Sequence, residues 1–312
     1  MANILPQQIH WIVRTVGERT TEACVRLAAE AARGEPVTRI RETPFVNAVR
    51  RTWESGRASG KPWTVCLDAD VLIDPVAMWD FLEEAFATDQ KTFCVQAVVL
   101  DNLLAIHRPA GIHVYRNRYA AEALQHVPAA GVALRPETHT NEQLIANYRV
   151  LRQSNRVIGL HDFEQDYADL HRKGMVHAKK HWLVWERLST RWEVRRHTEP
   201  DIRAAWLGAR ALPDTEAPFR IDVAYGAARR AQDLAASALA PKAPLTATDC
   251  SAEWVREVMA GFPVDEILQP LRYSDFDRSV EKGRKPPPWV LAYRRLRPIA
   301  GRYKQRLFGK PS

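Results

Sequence analysis

WTVCLDADVLIDP, residues 63–75, is the stretch whose reading decides the fold. An apolar run ends on Asp68 and Asp70, one residue apart, and Asp74 follows just before Pro75. Carboxylates at the end of a buried strand are costly unless they are paired, hydrogen-bonded or bound to a cation. A strand here therefore brings a functional expectation with it. Upstream, IHWIVRT (9–15) reads as a strand broken by VGERT, and TEACVRLAAEAA (21–32) has helical spacing with Thr20 or Thr21 as N-cap. EPVTRIRET (35–43) fits a second strand, and PFVNAVRRTWESG (44–56) a helix opened by Pro44 and closed by Gly56. Downstream, DPVAMWDFLEEAFA (74–87) resumes as a helix capped by Asp74, and TFCVQAVVL (92–100) is another strand. This alternation implies an α/β chain whose mixed, mostly parallel sheet is flanked by helices. Ligands of such sheets bind beyond the carboxyl ends of the strands, so the loops at 15–19, 42–47 and 68–74 are expected to converge on one crevice.

Farther along, GIHVYRNRYAAEALQHV (111–127) reads as a hairpin arm followed by a helix, and RPETHTNEQ (135–143) as loop. HDFEQDYADLHRKG (161–174) carries acidic residues in a first turn, Phe163, Tyr167 and Leu170 on one face, Arg172 and Lys173 near the end, and Gly174 as a stop. Beyond about 190 the chain turns Ala-rich and helical, in DIRAAWLGARAL (201–212) and AYGAARRAQDLAASALA (224–240). Three regions are expected: a catalytic domain over 1–190, a helical extension over 191–280 and a basic amphipathic tail over 281–312.

With 312 residues, 46% hydrophobic and 26% charged, the chain can bury a sizeable core. No apolar run approaches the roughly 20 residues that span a bilayer, and no leader is legible, which points to the cytoplasm. Cys24, Cys66, Cys94 and Cys250 are scattered without a CxxC pair, which argues against a disulfide framework or a zinc knuckle. The net charge of +8 belongs to the tail: from Glu281 onward there are ten Lys or Arg against one Glu, so the first 280 residues sum to −1. In that tail Trp289, Tyr293, Leu296, Ile299, Tyr303 and Leu307 recur every three or four positions. The pattern suits either a helix packed on the domain or, over 286–308, contact with an anionic membrane at its inner face.

On an extended strand residues i and i+2 share a side, so Asp68 and Asp70 can reach one Mn²⁺ or Mg²⁺, which in turn can bridge to the phosphates of a nucleotide. With WIVRT as opening strand, LDADVLIDP as the D-x-D strand and GLHDFEQDYADLHRKG as an acidic segment, the first 190 residues resemble a GT-A glycosyltransferase of the broad family 2 type. The resemblance implies a Rossmann-like GT-A fold and transfer of a sugar from a nucleotide-diphosphate-sugar donor to a glycan or lipid-linked acceptor. It places the metal and diphosphate on Asp68 and Asp70, and the nucleoside on Arg14, Thr15, Glu18 and Arg19. In place of the family's Glu-Asp pair stand His161 and Asp162.

An Asp held near an incoming hydroxyl can take its proton, which makes Asp162 the first candidate base and Glu164 the second. His161, His171, His177 and His181 bring four of ten histidines into 21 residues, with His161 the nearest candidate for a third metal ligand and His177 or His181 as others. Asn47 and Arg50, with Arg51, open a helix facing the same side and are candidates for the diphosphate or base. Two other readings are open. LDADVL also fits the strand-end D-x-D of haloacid-dehalogenase-type phosphatases, with Asp68 as nucleophile, although the motif follows two earlier strands and lacks their glycine turn. A non-enzymatic membrane or nucleic-acid adaptor acting through the basic tail is the other, whereas the transferase reading expects no nucleic-acid partner.

Overall fold

The computed structural model describes residues 5–133, 135–180, 185–211, 226–246, 248–265 and 268. They fall in the compact unit Met1–Arg272. His181 and the basic tail lie outside the described residues.

Seven strands form one sheet: β1 (Ile9–Arg14), β2 (Val37–Ile40), β3 (Trp63–Asp68), β4 (Val71–Ile73), β5 (Thr92–Asp101), β6 (Ile106–Arg116) and β7 (Val150–His161), in the order β2-β1-β3-β6-β5-β7-β4. β1 is parallel to β2 and β3, and β5 to β7, whereas β3–β6, β5–β6 and β4–β7 are antiparallel. The sheet is thus mixed, and half of its pairings are antiparallel. The cause is local: residues 92–116 turn back on themselves as a hairpin, which puts β6 beside β3.

Alternation sorts the strand side chains to two faces. Ile9, Trp11 and Val13 of β1, with Val65 and Leu67 of β3, join one core under α1 (Thr21–Ala32) and α3 (Pro75–Phe86). Ile12 and Cys66 point the other way, into a core with α2 (Phe45–Ala58) and α4 (Ala120–His126). β1 and β3 are buried on both faces and therefore read as continuous apolar runs. Asp74 caps α3, its carboxylate accepting from the amides of Val76 and Ala77 at 3.3 and 3.4 Å, and it also pairs with Arg256 of α10 (Ala252–Gly261) at 3.0 Å.

Three local expectations are corrected. RPETHTNEQ is not loop: α5 (Pro136–Ala146) starts there with Pro136 in its first turn, and it buries Thr140, Asn141 and Leu144, too little apolar surface to show as a period. Gly56 does not close α2, which runs on to Ala58 and presses the glycine against Thr64 and Asn117. The helix read over 161–174 starts later. β7 continues to His161, Asp162 and Glu164 take left-handed backbone at φ 65° and 53°, and α6 (Tyr167–Lys180) begins at Tyr167.

Gly174 lies inside α6, where a Cβ would meet the carbonyl oxygen of Ala205 in α8 (Pro200–Arg210) at 1.8 Å. Gly208 of α8 meets the carbonyl of His171 at the same distance. The two glycines let the helix backbones touch. α7 (Trp185–Arg195) and α9 (Ala227–Ala236) complete this layer, whose core joins Leu170, Leu188, Trp192 and Ile202 to Leu103 and Leu104 of the β5–β6 turn. No helix among the described residues is long and apolar enough to cross a membrane.

Candidate active site

β1, β3, β5 and β7 end in polar residues, Arg14, Asp68, Asp101 and His161, and these carboxyl ends together with the segments that follow them build the site. It has two halves. In the first, the buried Arg14 guanidinium donates from Nε to Asp68 Oδ1 at 2.8 Å and from Nη1 to Glu137 Oε1 at 2.6 Å, and its Cζ lies 5.0 Å from the centre of the Phe45 ring. Glu137, in the first turn of α5, also accepts from the Tyr115 hydroxyl at 2.7 Å and lies 3.6 Å from His113 Nε2. Burial pushes the Asp68 carboxyl up, Arg14 opposes this, and the neighbouring Asp70 and Glu137 carboxylates add to it, so that Asp68 reaches about 7. Burial acts likewise on Glu137, but Arg14 and then His113 overcome it and draw it down to about 2. One guanidinium between two buried carboxylates is compensated chiefly through the better-paired one.

The second half gathers Asp70, His161 and Asp162, whose ligand atoms all lie within 4.8 Å of one another. The strand ends at Asp68, and Ala69 and Asp70 form a turn, so the same-side rule for i and i+2 does not extend across the D-x-D pair. Asp68 turns to Arg14, while Asp70 Oδ2 lies 3.8 Å from His161 Nε2. The backbone ties the parts together: the Asp162 amide donates to the Asp70 carbonyl at 3.1 Å, and Asn102 Nδ2 donates to the Asp162 carbonyl at 3.2 Å.

His161 Nδ1 is 2.9 Å from Asp101 Oδ2, which is itself 2.6 Å from the Arg108 guanidinium. A carboxylate on Nδ1 fixes a proton there and leaves Nε2, facing Asp70, as the nitrogen that can take either a second proton or a metal. Burial lowers the His161 pKa, but Asp162, Asp70 and the Asp101 hydrogen bond reverse this and hold it above its ordinary value. Asp70 Oδ1 and Asp162 Oδ2 are buried without a hydrogen-bond partner among the described residues. Asp162 Oδ2 lies 3.3 Å from His161 Nδ1, and the two carboxylates with the imidazole form a donor set that fits a hard divalent ion such as Mn²⁺ or Mg²⁺.

A lysine that sequence reasoning placed at a helix end enters this group. Lys173 Nζ donates to Asp70 Oδ2 at 2.6 Å and to Asp162 Oδ1. Burial alone would lower its pKa, but Asp162 and Asp70 outweigh burial and raise it, while Asp70 is held well below the carboxylate range against its own burial by Lys173 and His161. The signal lay in spacing: Leu170, Lys173 and His177 fall on one helix face at steps of three and four, and a lysine on an apolar stripe needs an anion. Asp101 was legible too, since VVLD repeats the pattern of an apolar run that ends on Asp. Nothing local marks Glu137.

The remaining candidates are placed as follows. Thr15 and Glu18 close the β1–α1 loop on each other, with Thr15 Oγ1 donating to Glu18 Oε2 at 2.8 Å and the Val16 amide donating to the same oxygen at 2.9 Å. Arg19 binds Glu164 at 2.7 Å and the Ala243 carbonyl. The Glu164 side chain is 39% exposed, whereas that of Asp162 is fully enclosed. Asn47 is exposed and donates to the Thr43 carbonyl, and Arg50 donates to the Val127 carbonyl at 3.3 Å, so neither is bonded to the carboxylate groups. His171 pairs with Asp233 at 2.9 Å, and burial draws His177 down to about 3; neither belongs to the Asp70 group.

No family model matches the chain, and no curated protein does. Among solved structures it is similar to a glycosyltransferase involved in the glycosylation of the major capsid of PBCV-1, at 14% identity and a TM-score of 0.34, over 49% of this chain and 82% of that one. It is also similar to the mannosyltransferase PcManGT from Pyrobaculum calidifontis in complex with GDP-Man and Mn²⁺, at 13% identity and a TM-score of 0.38, over 88% of this chain and 85% of that one. Both neighbours are glycosyltransferases.

Proposed function

We propose that the chain is a metal-dependent glycosyltransferase that moves a sugar from a nucleoside-diphosphate-sugar donor to a hydroxyl of a glycan or lipid-linked glycan. The observation that carries this reading is the buried group of Asp70, His161 and Asp162, with two unpartnered carboxylate oxygens and an imidazole whose Nδ1 is held by Asp101. These three side chains hold Mn²⁺ or Mg²⁺, which when bound offsets the charge that develops on the leaving diphosphate. Asp68, whose carboxylate is held by Arg14 and is 28% exposed, is assigned to the donor side. Arg14, Thr15, Glu18 and Arg19 shape the loop under the nucleoside. Asp162, enclosed by Lys173 and His161, is assigned to the metal, and Glu164, the exposed carboxylate next along the chain, to taking the proton of the acceptor hydroxyl. Tail residues 286–308 are assigned to an anionic membrane surface carrying the acceptor, on the cytoplasmic side.

A thermal-shift panel of GDP, UDP, ADP and CDP with and without Mn²⁺ tests the class. Stabilisation by one nucleotide that needs Mn²⁺ and vanishes in Asp70→Ala and His161→Ala is expected. Stabilisation that ignores the metal, or hydrolysis of a generic aryl phosphate with Asp68 required, refutes it.

A further inference from the structure

Lys173 occupies ground that a divalent ion needs. Its ammonium contacts Asp70 Oδ2 at 2.6 Å and Asp162 Oδ1, which are oxygens of two of the three groups placed to ligate, and it leaves the other oxygen of each carboxylate without a hydrogen bond, that of Asp162 lying 3.3 Å from His161 Nδ1. Asp70, Asp101 and Asp162 bring three negative charges, and Arg108 and Lys173 two positive ones, so with His161 neutral, the form in which it can ligate, the group stands at −1. A divalent ion added to this arrangement drives it to +1 in a buried place. With the ammonium withdrawn, the same ion brings the group to zero.

We infer that Lys173 is a resident counter-cation that holds the metal site closed until the diphosphate of a donor takes over its ammonium. This rests on the metal site proposed above and adds an order of events to it: metal and diphosphate bind together or weakly. The lysine can make the exchange with its side chain alone. Its helix is pinned at the next residue, where Gly174 lies against the Ala205 carbonyl, whereas the ammonium rides on four rotatable bonds and the side chain is 10% exposed. Phosphate oxygens offer a lysine a partner as good as the carboxylates it leaves. Coupling of this kind is reciprocal, so the metal must tighten diphosphate binding by the factor that the diphosphate tightens metal binding.

The test measures free Mn²⁺ by electron paramagnetic resonance in titrations of the full chain, wild type, Lys173→Met and Lys173→Met/Asp70→Asn, with and without inorganic pyrophosphate at matched free Mn²⁺. A unit positive charge removed from within about 5 Å of a divalent ion favours its binding by on the order of tenfold even at the dielectric of bulk water, and by more at the lower effective dielectric of an enclosed site. Lys173→Met is therefore expected to bind Mn²⁺ alone at least tenfold more tightly than wild type, and to gain less from pyrophosphate. The double variant is expected to lose the added affinity. Equal Mn²⁺ affinity in wild type and Lys173→Met overturns the role of Lys173 and leaves the metal site standing. No Mn²⁺ bound by any variant, with pyrophosphate present, overturns the site itself and the lysine with it. Should Lys173→Met fold poorly without metal, wild-type crystals soaked in Mn²⁺ with and without pyrophosphate decide instead. Metal at Asp70 only in the double soak, with Nζ moved to phosphate, is expected, and metal at Asp70 with the Nζ contact retained refutes the exchange.

Discussion

Gly174→Ala separates two arguments that give opposite signs. Helix propensity alone makes alanine better than glycine inside α6 by about 1 kcal/mol. The packing says otherwise, because the new Cβ would lie 1.8 Å from the Ala205 carbonyl oxygen, 2.6 Å from its carbon and 2.9 Å from its Cα. All three atoms are backbone, so no rotamer relieves the clash. Bringing the closest contact out to 3.0 Å, the distance below which real Cβ contacts essentially do not occur, moves α6 and α8 apart by at least 1.2 Å along that line. Overpacking of this sort costs about 1–3 kcal/mol, and a rigid obstacle at two helix backbones belongs at the upper end. After the propensity gain, the expected net loss is about 2 kcal/mol, or roughly 4–8 °C in Tm for a unit of this size. Thermal unfolding followed by circular dichroism measures it. Gly208→Ala, facing the His171 carbonyl at the same 1.8 Å, should behave alike. Gly261→Ala, a helical position with no atom within 4 Å of its Cβ, is the control and should be neutral or slightly stabilising. A Gly174→Ala Tm equal to or above wild type would refute the close crossing of α6 and α8, and with it the placement of Lys173.

Asp101→Asn removes the charge that fixes His161 Nδ1 and compensates Arg108, so Mn²⁺ affinity measured in the presence of pyrophosphate should fall about 10- to 100-fold; unchanged affinity would exclude a supporting role for Asp101. Glu164→Gln should reduce release of nucleoside diphosphate from whichever donor binds by about 100-fold or more while leaving Mn²⁺ affinity as in wild type, and equal turnover would remove Glu164 as the base. Glu137 has a folded value of about 2 against an ordinary 4.5, so it stays ionised where the unfolded carboxyl is protonated. The stability it contributes, about 3 kcal/mol, is complete above pH 4.5 and is lost as pH falls through 2, whereas Asp68, raised to about 7, acts in the opposite sense mainly above that window. Denaturant unfolding of Glu137→Gln should therefore show a shallower loss of stability between pH 4.5 and 2 than wild type, and parallel curves would contradict the Arg14–Glu137 pairing.

The sheet was legible where a period and a boundary coincided. β1, α1 and α3 announce themselves because an apolar run meets a turn or a cap within one or two residues, as at Arg14 before VGERT and Asp74 before Pro75. Strand direction was not legible to the same degree. Whether TFCVQAVVL runs with or against its neighbour depends on the turn at Asn102–Ala105, which is held by Asp101 accepting from the Leu104 amide at 2.8 Å and by Trp192 Nε1 donating to the Leu103 carbonyl at 2.7 Å. The second of these partners lies about 90 residues away, beyond the reach of any local pattern. α5 was hidden for a different reason: its buried positions include Thr140 and Asn141, so its inner face does not look apolar.

The site follows the same logic. Asp68 and Asp70 were found because the end of an apolar run is itself a signal, whereas Arg14 came from the family resemblance and His161 from that resemblance and the crowding of histidines, in a segment read as helix although β7 ends there. The charges that compensate them come from helices, where a charged residue is ordinary. Glu137 sits in the first turn of α5 and looks like an answer to a helix dipole, and Lys173 sits in α6 and looks like surface. What distinguishes them is the burial of their partners, a property of packing and not of spacing. Two buried carboxylates, at 101 and 162, and two half-buried ones, at 68 and 70, call for cations within reach if the chain is to fold without metal. Arg14, Arg108 and Lys173 meet that need. A site whose carboxylates are already paired to this extent admits a divalent ion more readily when one of those cations leaves. Arg14 and Arg108 are held through a rigid planar fork, whereas the lysine, though it bridges Asp70 and Asp162, ends in a single point charge on a flexible stem.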